Sequence, residues 1–309
     1  MTLSYLSICS GIEAATVAWR PLGWRALGFS EVAAFPSQVL KYHYPEVSNF
    51  GDFTQIQRAD LAETPDILVG GTPCQDFSIA GNRLGMAGER GNLAIEYIRL
   101  VARIWPTWLV WENVPGVLSA NDGRAFGTFL GQLEELGYGF AYRVLNAKYF
   151  GVPQERRRVF LVGHIRDWRL AAAVLFDEES LQWDAATHRD LGFFSASRAA
   201  ATSEKDTVIG STGGYSRTLT AGGQMRICTR TETQVMYPNR EGSNLIRRLT
   251  PLEQERLQGF PDGYTDIGAG ATDQKRGKAL GNSMAVPCIK WIGERLAQVH
   301  NFDLLRQEI

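Results

Sequence analysis

The sequence predicts an α/β fold, with a doubly wound and mostly parallel sheet joined to a smaller, irregular domain. Short apolar runs alternate with segments of helical periodicity over residues 3–162, which is the pattern of successive strand and helix units. After about Trp168 this alternation stops, and residues 199–223 become rich in Ser, Thr and Gly. The change in composition indicates a second structural unit.

Apolar runs and helical spacing give the order of elements in the first unit. Pro36 suits the first turn of a helix, because its φ is fixed and its missing N–H is not needed there. We expect strands at residues 3–8, 24–29, 66–69, 107–111, 138–145 and 158–162, a short further strand just before Asp52, and helices at 13–19, 36–44, 93–104 and 124–136. The last two strands are predicted to form a hairpin.

The second unit is expected to contain loops and short strands. Helical signals return at residues 250–253, where Thr250 suits an N-cap and Glu253 is its capping-box partner. A last helix is expected from about residue 284 to 298. The predicted division of the chain is therefore 1–167, 168–277 and 278–309, with the C-terminal helix returning to the first domain.

Composition excludes several classes of protein. The 309 residues are 44% hydrophobic, which is enough for a sizeable core. There is no apolar run of membrane-spanning length and no signal peptide at the N-terminus, so we expect a soluble, cytoplasmic protein. The four cysteines are scattered and histidines are few, so neither a disulfide framework nor a metal site is expected.

The net charge of −1 gives no sign of nucleic-acid binding, but the charge is uneven. Between Thr207 and Arg248 there are six arginines and two glutamates, and residues 156–158 add three more arginines. Local basic patches bind phosphates even when the whole chain is neutral. From charge alone, a solvated charged face is an equally good explanation.

The loop at residues 70–78, Gly-Gly-Thr-Pro-Cys-Gln-Asp-Phe-Ser, follows a buried strand. Cys74 therefore lies at the carboxyl end of a predicted parallel strand, the edge where open α/β sheets bind ligands. Residues 75–90 mix glycines with charged side chains, which is typical of a loop that closes over a substrate. A lone cysteine is more often buried and inert, so its sequence context decides between the two interpretations.

Polar residues also end the other predicted strands. Residues 7–13 resemble a nucleotide-binding turn, although Gly11 stands alone without a GxGxxG fingerprint. Glu31 is placed to bind ribose hydroxyls, and Asp52 to accept from an adenine amino group. Glu112 ends the strand next to that of Cys74, where burial would raise its pKa and make it a general acid. Glu31 and Asp52 each have a simpler alternative as a surface carboxylate or helix cap.

Taken together, these motifs resemble the cytosine-5 DNA methyltransferase family of bacterial or phage type. The matching motifs, in family order, are Pro73-Cys74-Gln75, Glu112-Asn113-Val114, Gln154-Glu155-Arg156-Arg157-Arg158, the block from Arg248-Leu249-Thr250-Pro251 to Gln258-Gly259-Phe260-Pro261, and Gly281-Asn282-Ser283. The first cofactor motif departs from the pattern. The family has Phe-x-Gly-x-Gly where this chain has Cys9, Gly11 and Glu13.

The resemblance implies a Rossmann-like methyltransferase that flips a cytosine out of duplex DNA. It implies that Cys74 attacks C6, that Glu112 protonates N3, and that C5 takes the methyl group of S-adenosylmethionine. Arg156 and Arg158 would hold the base carbonyl. The implied cofactor contacts are Ser10, Gly11, Ile12, Glu31, Val32, Asp52, Phe53, Pro73, Asn282 and Ser283. The implied DNA contacts are Gln75, Ser78, Arg90, Arg217, Arg226 and Arg248.

In these terms residues 1–167 form a catalytic and cofactor-binding domain and residues 168–277 a target-recognition domain. The implied partner is double-stranded DNA, bound by a monomer, and a cognate restriction endonuclease is an open alternative. Other functions remain open: methylation of RNA or a free nucleotide, a non-catalytic DNA-binding regulator, and a Rossmann oxidoreductase. The arginine-bearing second unit favours duplex DNA. The presence of both Cys74 and Glu112 opposes the regulator, and the missing glycine fingerprint opposes the oxidoreductase.

Overall fold

The computed structural model describes residues 2–73, 93–176, 207–209, 216–217, 234–238 and 244–307. Its strands are β1 (Ser4–Ile8), β2 (Arg25–Ser30), β3 (Ile67–Gly70), β4 (Trp108–Asn113), β5 (Tyr138–Asn146), β6 (Gln154–Glu155), β7 (Arg157–Ile165), β8 (Thr207–Ile209), β9 (Ser216–Arg217), β10 (Gln234–Pro238) and β11 (Asn244–Arg248). Six of them form the main sheet, in the order β2-β1-β3-β4-β7-β5. The predicted α/β fold is confirmed.

The register of the main sheet brings four strand ends to one edge. Strands β2, β1, β3 and β4 are parallel, and Ile8 lies beside both Ser30 and Gly70, while Gly70 lies beside Trp111. The chain segments that follow these residues therefore leave the sheet side by side. Strands β5 and β7 form the predicted antiparallel hairpin, and β7 also pairs antiparallel with β4.

Helices cover both faces of this sheet. They are α1 (Ala14–Trp19), α2 (Ala34–His43), α3 (Leu93–Ile104), α4 (Arg124–Glu135), α5 (Trp168–Leu175), α6 (Pro251–Gln258), α7 (Asp273–Asn282) and α8 (Val286–Gln307). Along β4, Trp108 and Val110 belong to a core with α1, α2, α5 and α8, whereas Leu109 and Trp111 belong to a core with α3 and α4. Both faces of β4 are thus buried, as its unbroken apolar sequence predicts.

The prediction of a short strand before Asp52 is wrong. Residues 45–52 meet the sheet through one isolated bridge between Phe29 and Asn49. Two backbone hydrogen bonds make this contact, from Phe29 N to Ser48 O and from Phe50 N to Phe29 O. The segment then turns at Gly51, which has a φ of 73°, so the pairing stops before a strand forms.

Three helices also differ from expectation. Helix α2 begins at Ala34, so Pro36 is its third residue, still within the turn whose N–H groups have no helical partner. Helix α7 was not expected, and Asn282 is its last residue. The last helix begins at Val286 and continues to Gln307.

The second unit contains short strands, as expected. Strands β11, β10 and β8 form an antiparallel sheet, and β9 pairs in parallel with β6. The predicted bounds of 168 and 277 for this unit stay a prediction. Leu170 and Val174 of α5, and Phe260 and Tyr264 after α6, are buried in the core of the main sheet. That packing favours a narrower recognition unit.

Within the described ranges, no helix is both long and apolar enough to cross a membrane. The same residues contain no group of three or more potential metal ligands.

The capping box of α6 gives a test of local stability. Thr250 Oγ1 accepts from Glu253 N at 3.3 Å, and Glu253 Oε2 accepts from Thr250 N at 2.7 Å. We expect Thr250→Ala to lower the free energy of unfolding by about 1 kcal/mol, because the cap is lost. Urea denaturation measures this. Thr128→Ala on the exposed face of α4 is the control, with a change within about 0.5 kcal/mol. Equal stability of Thr250→Ala and the wild type would show that the cap contributes nothing.

Candidate functional site

The ends of β3 and β4 lie unusually close together. A Cβ atom on Gly71 would lie 2.2 Å from the backbone oxygen of Glu112, so only glycine allows this approach. Asn113 reinforces the contact. Its buried side-chain amide donates to the carbonyl of Thr72 at 2.8 Å and accepts from Val114 N at 2.9 Å. The backbone that leads to Cys74 is therefore held against the end of β4.

Glu112 is largely buried at this edge. Its Oε1 lies 3.2 Å from Nε of Arg158, and each of the two side chains is 14% exposed. Burial raises the pKa of the Glu112 carboxyl, while the charges of Arg158 and Arg156 act in the opposite direction. The site thus contains a carboxyl group that holds a proton more firmly than an exposed glutamate does, with an arginine beside it to stabilise the anion left behind.

Arg156 is near enough for its charge to act on Glu112, and it is 3% exposed. Its guanidinium donates to the carbonyl of Gly281 at 3.3 Å and to that of Ser283 at 2.7 Å. Burial lowers its pKa to about 10, so the side chain stays charged at neutral pH. The structure therefore brings the end of α7 next to the arginine motif, and Arg156 joins the two.

Two buried glutamines were missed by sequence reasoning as parts of the site. Gln154 Nε2 donates to the carbonyl of Leu257 at 2.9 Å and to Oε1 of Gln258 at 3.2 Å. Gln258 Nε2 in turn donates to the carbonyl of Leu280 at 2.6 Å. These bonds fasten α6 and α7 to β6. Both glutamines belong to motifs quoted above, and each follows an apolar residue. These two features were the signal in the sequence that could have identified them.

The turn after β1 has an uncommon backbone. Cys9, Gly11 and Glu13 have φ angles of 47°, 57° and 66°, in the left-handed region that favours glycine. Ser10 Oγ donates to the carbonyl of Ser7 and accepts from Ser30 N, both at 3.0 Å. This turn is consequently bound to the end of β2.

The side chain of Glu31, which follows β2, also binds the turn after β1. Its Oε2 accepts from Gly11 N at 2.8 Å, and its Oε1 accepts from Ala33 N at 2.7 Å. The next residue, Val32, is 75% exposed although it is apolar. A carboxylate and an exposed apolar side chain thus lie together at the carboxyl ends of β1 and β2.

Asp52 lies nearby in the chain segment that reaches β2. Its Oδ1 accepts from Thr54 N at 2.9 Å and so caps the short helix Phe53–Gln55, and Phe53 is buried. Ser30 Oγ donates to the carbonyl of Gly51 at 2.5 Å, which draws the segment to the strand end. The structure therefore brings the expected cofactor residues from 10 to 53 to one edge, with Pro73 at the end of β3. Asn282 and Ser283 lie at the end of α7, where Arg156 holds them.

Glu13 supports the turn from inside and is 1% exposed. Its Oε2 accepts from Ser7 Oγ at 2.7 Å, and its Oε1 accepts from the backbone N and Oγ1 of Thr16, both at 3.1 Å. Burial raises the pKa of Glu13 to about 7 in spite of these bonds. Sequence reasoning noted this residue only as a departure from a motif.

Several expected site residues lie outside the described residues, namely Cys74, Gln75, Ser78, Arg90 and Arg226. For Arg217 the structure describes the backbone, which lies in β9 beside Glu155. Arg248 is exposed at the end of β11. The roles expected for all these residues stay predictions.

Comparison with known proteins adds an independent line of evidence. A family model for C-5 cytosine-specific DNA methylases matches residues 3–191 and 195–298. The chain is 32% identical over 291 residues to Type II methyltransferase M1.ScrFI of Lactococcus lactis subsp. cremoris, covering 87% of this chain and 71% of that protein.

A phage protein and a solved structure are also similar. The chain is 32% identical to a protein of Escherichia phage P1 named DNA N-6-adenine-methyltransferase, in an alignment that covers 96% of this chain and 61% of the relative. The chain therefore spans less than two thirds of that relative's length. The crystal structure of S. pombe Dnmt2 methyltransferase matches with a TM-score of 0.74 at 16% identity, covering 96% of this chain and 99% of that one. The likeness supports the fold.

Glu13 makes stability depend on pH. Its folded-state pKa of about 7 lies above the ordinary value of 4.5. Its contribution is therefore complete below about pH 4.5 and is lost as the pH rises through about 7. Relative to Glu13→Gln, we expect the wild type to lose on the order of 3 kcal/mol of unfolding free energy across this interval. Denaturant titrations of both proteins at several pH values measure the difference. A difference that does not change with pH would contradict the assignment.

Proposed function

Because the chain belongs to the C-5 cytosine-specific DNA methylase family, we propose that it transfers a methyl group from S-adenosylmethionine to C5 of cytosine in double-stranded DNA. The observation that supports this most directly is the buried Glu112 beside Arg158, at the strand edge where the backbone of Thr72 leads to Cys74. A proton-holding carboxyl group at the end of β4, beside the strand that leads to a candidate thiol nucleophile, suits addition to a pyrimidine ring.

Two groups of the chain perform the proposed chemistry. The thiolate of Cys74 forms a bond to C6 of a flipped cytosine, while Glu112 gives its proton to N3 and so removes the negative charge from the ring. C5 becomes the nucleophile and accepts the methyl group. Loss of the C5 proton to solvent then re-forms the C5–C6 double bond and expels the thiolate of Cys74, and the N3 proton returns to the Glu112 carboxylate.

The raised pKa of Glu112 matches this role. A raised pKa increases the fraction of Glu112 that carries a proton at neutral pH, so this carboxyl group is a better proton donor than an exposed glutamate. After donation, the charge of Arg158 at 3.2 Å stabilises the carboxylate. Arg156 is bonded to the carbonyls of Gly281 and Ser283, so we propose that it positions the end of α7 and that Arg158, which lies beside Glu112, is the arginine nearer the base.

The edge formed by β1 and β2 suits S-adenosylmethionine. Glu31 offers a carboxylate for the ribose hydroxyls, Val32 an exposed apolar surface for the adenine ring, and Asp52 an acceptor for the adenine amino group. We propose that the backbone of residues 10–12 and the turn at Asn282 and Ser283 complete the site. When bound, S-adenosylmethionine supplies an electrophilic methyl group.

The name of the phage P1 relative suggests a second candidate, methylation of the amino group of adenine. In that reaction the amino nitrogen is itself the nucleophile and loses a proton, so the site needs hydrogen-bond acceptors around it. A protonated Glu112 is a donor, and a thiol nucleophile has no role in such a transfer. These residues therefore favour cytosine, and analysis of the product distinguishes the two reactions.

We further propose that the protein acts as a monomer on DNA in the cytoplasm. The Lactococcus relative is named a Type II methyltransferase, so a modification role with a cognate restriction endonuclease is part of this proposal.

The first prediction of the proposed function concerns Glu112 and Cys74. We expect DNA treated with the wild type to yield 5-methyldeoxycytidine on nucleoside analysis. Cys74→Ala should yield none, and Glu112→Gln should be slower by roughly 100-fold or more, because an amide cannot protonate N3. Glu135→Gln, on the exposed surface of α4, is the control and should be as active as the wild type.

DNA that contains 5-fluorocytosine tests the covalent step in the same proteins. Fluorine cannot leave C5 as a cation, so the wild type should form a complex that survives denaturation when S-adenosylmethionine is present, and Cys74→Ala should not. N6-methyladenine as the only product would overturn the cytosine assignment. Absence of the trapped complex from DNA that the enzyme methylates would overturn the covalent step.

We propose that the arginine-bearing unit reads the DNA sequence around the target cytosine. Between residues 207 and 248, arginines outnumber glutamates by six to two, and arginine is the side chain that most often contacts guanine. Strand β9 pairs with β6, so the backbone of Arg217 lies beside the arginine motif that contains Arg158. Arg248 is at the end of β11, where the chain returns to α6, and is better placed for phosphate contacts.

Variants of these arginines separate sequence reading from general DNA binding. Arg217→Ala or Arg226→Ala should relax the choice of bases by roughly 1–3 kcal/mol of discrimination, because a bidentate contact to guanine is lost. Arg248→Ala should weaken binding to all sequences and reduce the salt dependence. Methylation profiling on random-sequence DNA measures the first effect, and binding at several salt concentrations measures the second. An unchanged site preference in both Arg217→Ala and Arg226→Ala would remove them from the readout.

A further inference from the structure

We propose that Glu13 is a positioning residue for the cofactor, whose buried carboxyl group fixes the shape of the turn at residues 9–13 without touching the ligand. The proposal rests on the proposed function, since it takes this turn as the binding site for S-adenosylmethionine. Its starting point is that a residue with a long acidic side chain occupies a left-handed backbone position, with a φ of 66°, where glycine fits without strain.

The backbone alone does not favour glutamate at this place. Left-handed φ angles are costly for residues with a Cβ atom, and glutamate has no short side chain with which to bond its own backbone. Strained positions of this kind persist where the surrounding contacts hold them. Glycine adopts this conformation without strain. With glutamate at this position, contacts of the side chain must stabilise the same conformation.

The contacts of Glu13 join the two elements that flank the turn. Ser7 lies on β1 and donates to one carboxyl oxygen at 2.7 Å, while Thr16 lies on α1 and donates to the other oxygen through its backbone N and its hydroxyl, both at 3.1 Å. Both carboxyl oxygens are thus bonded. The carboxyl group spans the turn from strand to helix and sets the distance between them.

The groups around Glu13 extend this support to neighbouring elements. Three tyrosines experience its charge: Tyr5 on β1, Tyr44 after α2, and Tyr264 after α6. Tyr5 shares a hydrogen bond of 2.6 Å with Thr16. The hydroxyl of Tyr264 donates to the carbonyl of Ile12 at 2.9 Å. It also lies 3.0 Å from the hydroxyl of Tyr44. Hydroxyl groups of tyrosines from three elements therefore surround this region, and that of Tyr264 binds the backbone of the turn.

Two carboxylates hold the turn from opposite sides. Glu31 accepts from Gly11 N at 2.8 Å at the edge proposed for the ligand. Glu13 is buried and accepts from Ser7 and Thr16 on the core side of the turn. A ligand carried on the backbone of residues 10–12 and on Glu31 depends on the position of both. Loss of the Glu13 contacts should consequently weaken cofactor binding and leave the reacting groups at Glu112 unchanged.

Substitution of Glu13 by glycine is the decisive test. Glu13→Gly removes the backbone strain, so it should bind cofactor at least as well as the wild type if only the backbone conformation matters. We expect instead that the Kd for S-adenosylhomocysteine, measured by calorimetry, rises by roughly tenfold or more. The KM for S-adenosylmethionine should rise in parallel, while kcat at saturating cofactor stays within about threefold of the wild type.

Glu13→Gln is the rescue variant. Its side-chain oxygen can still accept from Thr16, and its amide can donate to Ser7 Oγ, so its Kd should stay within about threefold of the wild type. Arg166→Gly is the matched control, because Arg166 is exposed, has a φ of 79°, and lies between β7 and α5, outside the turn. It removes strain of the same kind from a long side chain and should leave the Kd unchanged.

Glu13→Asp keeps the test valid if the glycine variant does not fold. Aspartate tolerates left-handed φ and can still cap α1, but it is too short to reach Ser7 as well, so its Kd should rise by roughly threefold or more. A Kd of Glu13→Gly within threefold of the wild type, an equal loss in Glu13→Gln, or an unchanged Kd in Glu13→Asp would each overturn the proposal. Failure of the wild type to bind either S-adenosyl compound would instead overturn the proposed function.

Discussion

The close approach of Gly71 to the carbonyl of Glu112 is the constraint on which the geometry of the site depends. It lets the ends of β3 and β4 leave the sheet in contact, and the buried amide of Asn113 then binds the carbonyl of Thr72. The segment that leads to Cys74 and the carboxyl group of Glu112 are thereby fixed relative to each other. A larger residue at position 71 would separate the two strand ends, which are the shared support of the proposed nucleophile and acid.

Around this edge, buried polar groups connect parts of the chain that are far apart in sequence. Arg156 binds the carbonyls at the end of α7, and Gln154 and Gln258 join β6 to α6 and α7. Buried polar groups are costly unless they are bonded, so each connection admits few alternative arrangements. The C-terminal helices are held in this way against the arginine motif, although the second unit lies between them in the sequence.

The strands and most helices could be predicted because their signals are local. Buried strands such as β3 and β4 are unbroken apolar runs, and α6 has its cap written into residues 250–253. Weak local signals also explain why the strand expected before Asp52 was wrong and why α7 was not predicted. Residues 45–52 have some apolar character but only one bridge to the sheet. Helix α7 is largely polar, and its buried residues, Ala279, Leu280 and Gly281, lie at its end, so it has little amphipathic pattern to detect.

The sequence by itself determined the α/β class, the order of most elements and the resemblance to a methyltransferase family, because apolar periodicity and short motifs are properties of adjacent residues. Only the tertiary structure decided the partners of the functional side chains. It placed Arg158 beside Glu112, directed Arg156 to the carbonyls of Gly281 and Ser283, and buried Glu13 beneath the first turn. Some of these contacts join residues more than a hundred positions apart, and each depends on burial and on competition among several possible partners. Both are fixed only when the chain is packed.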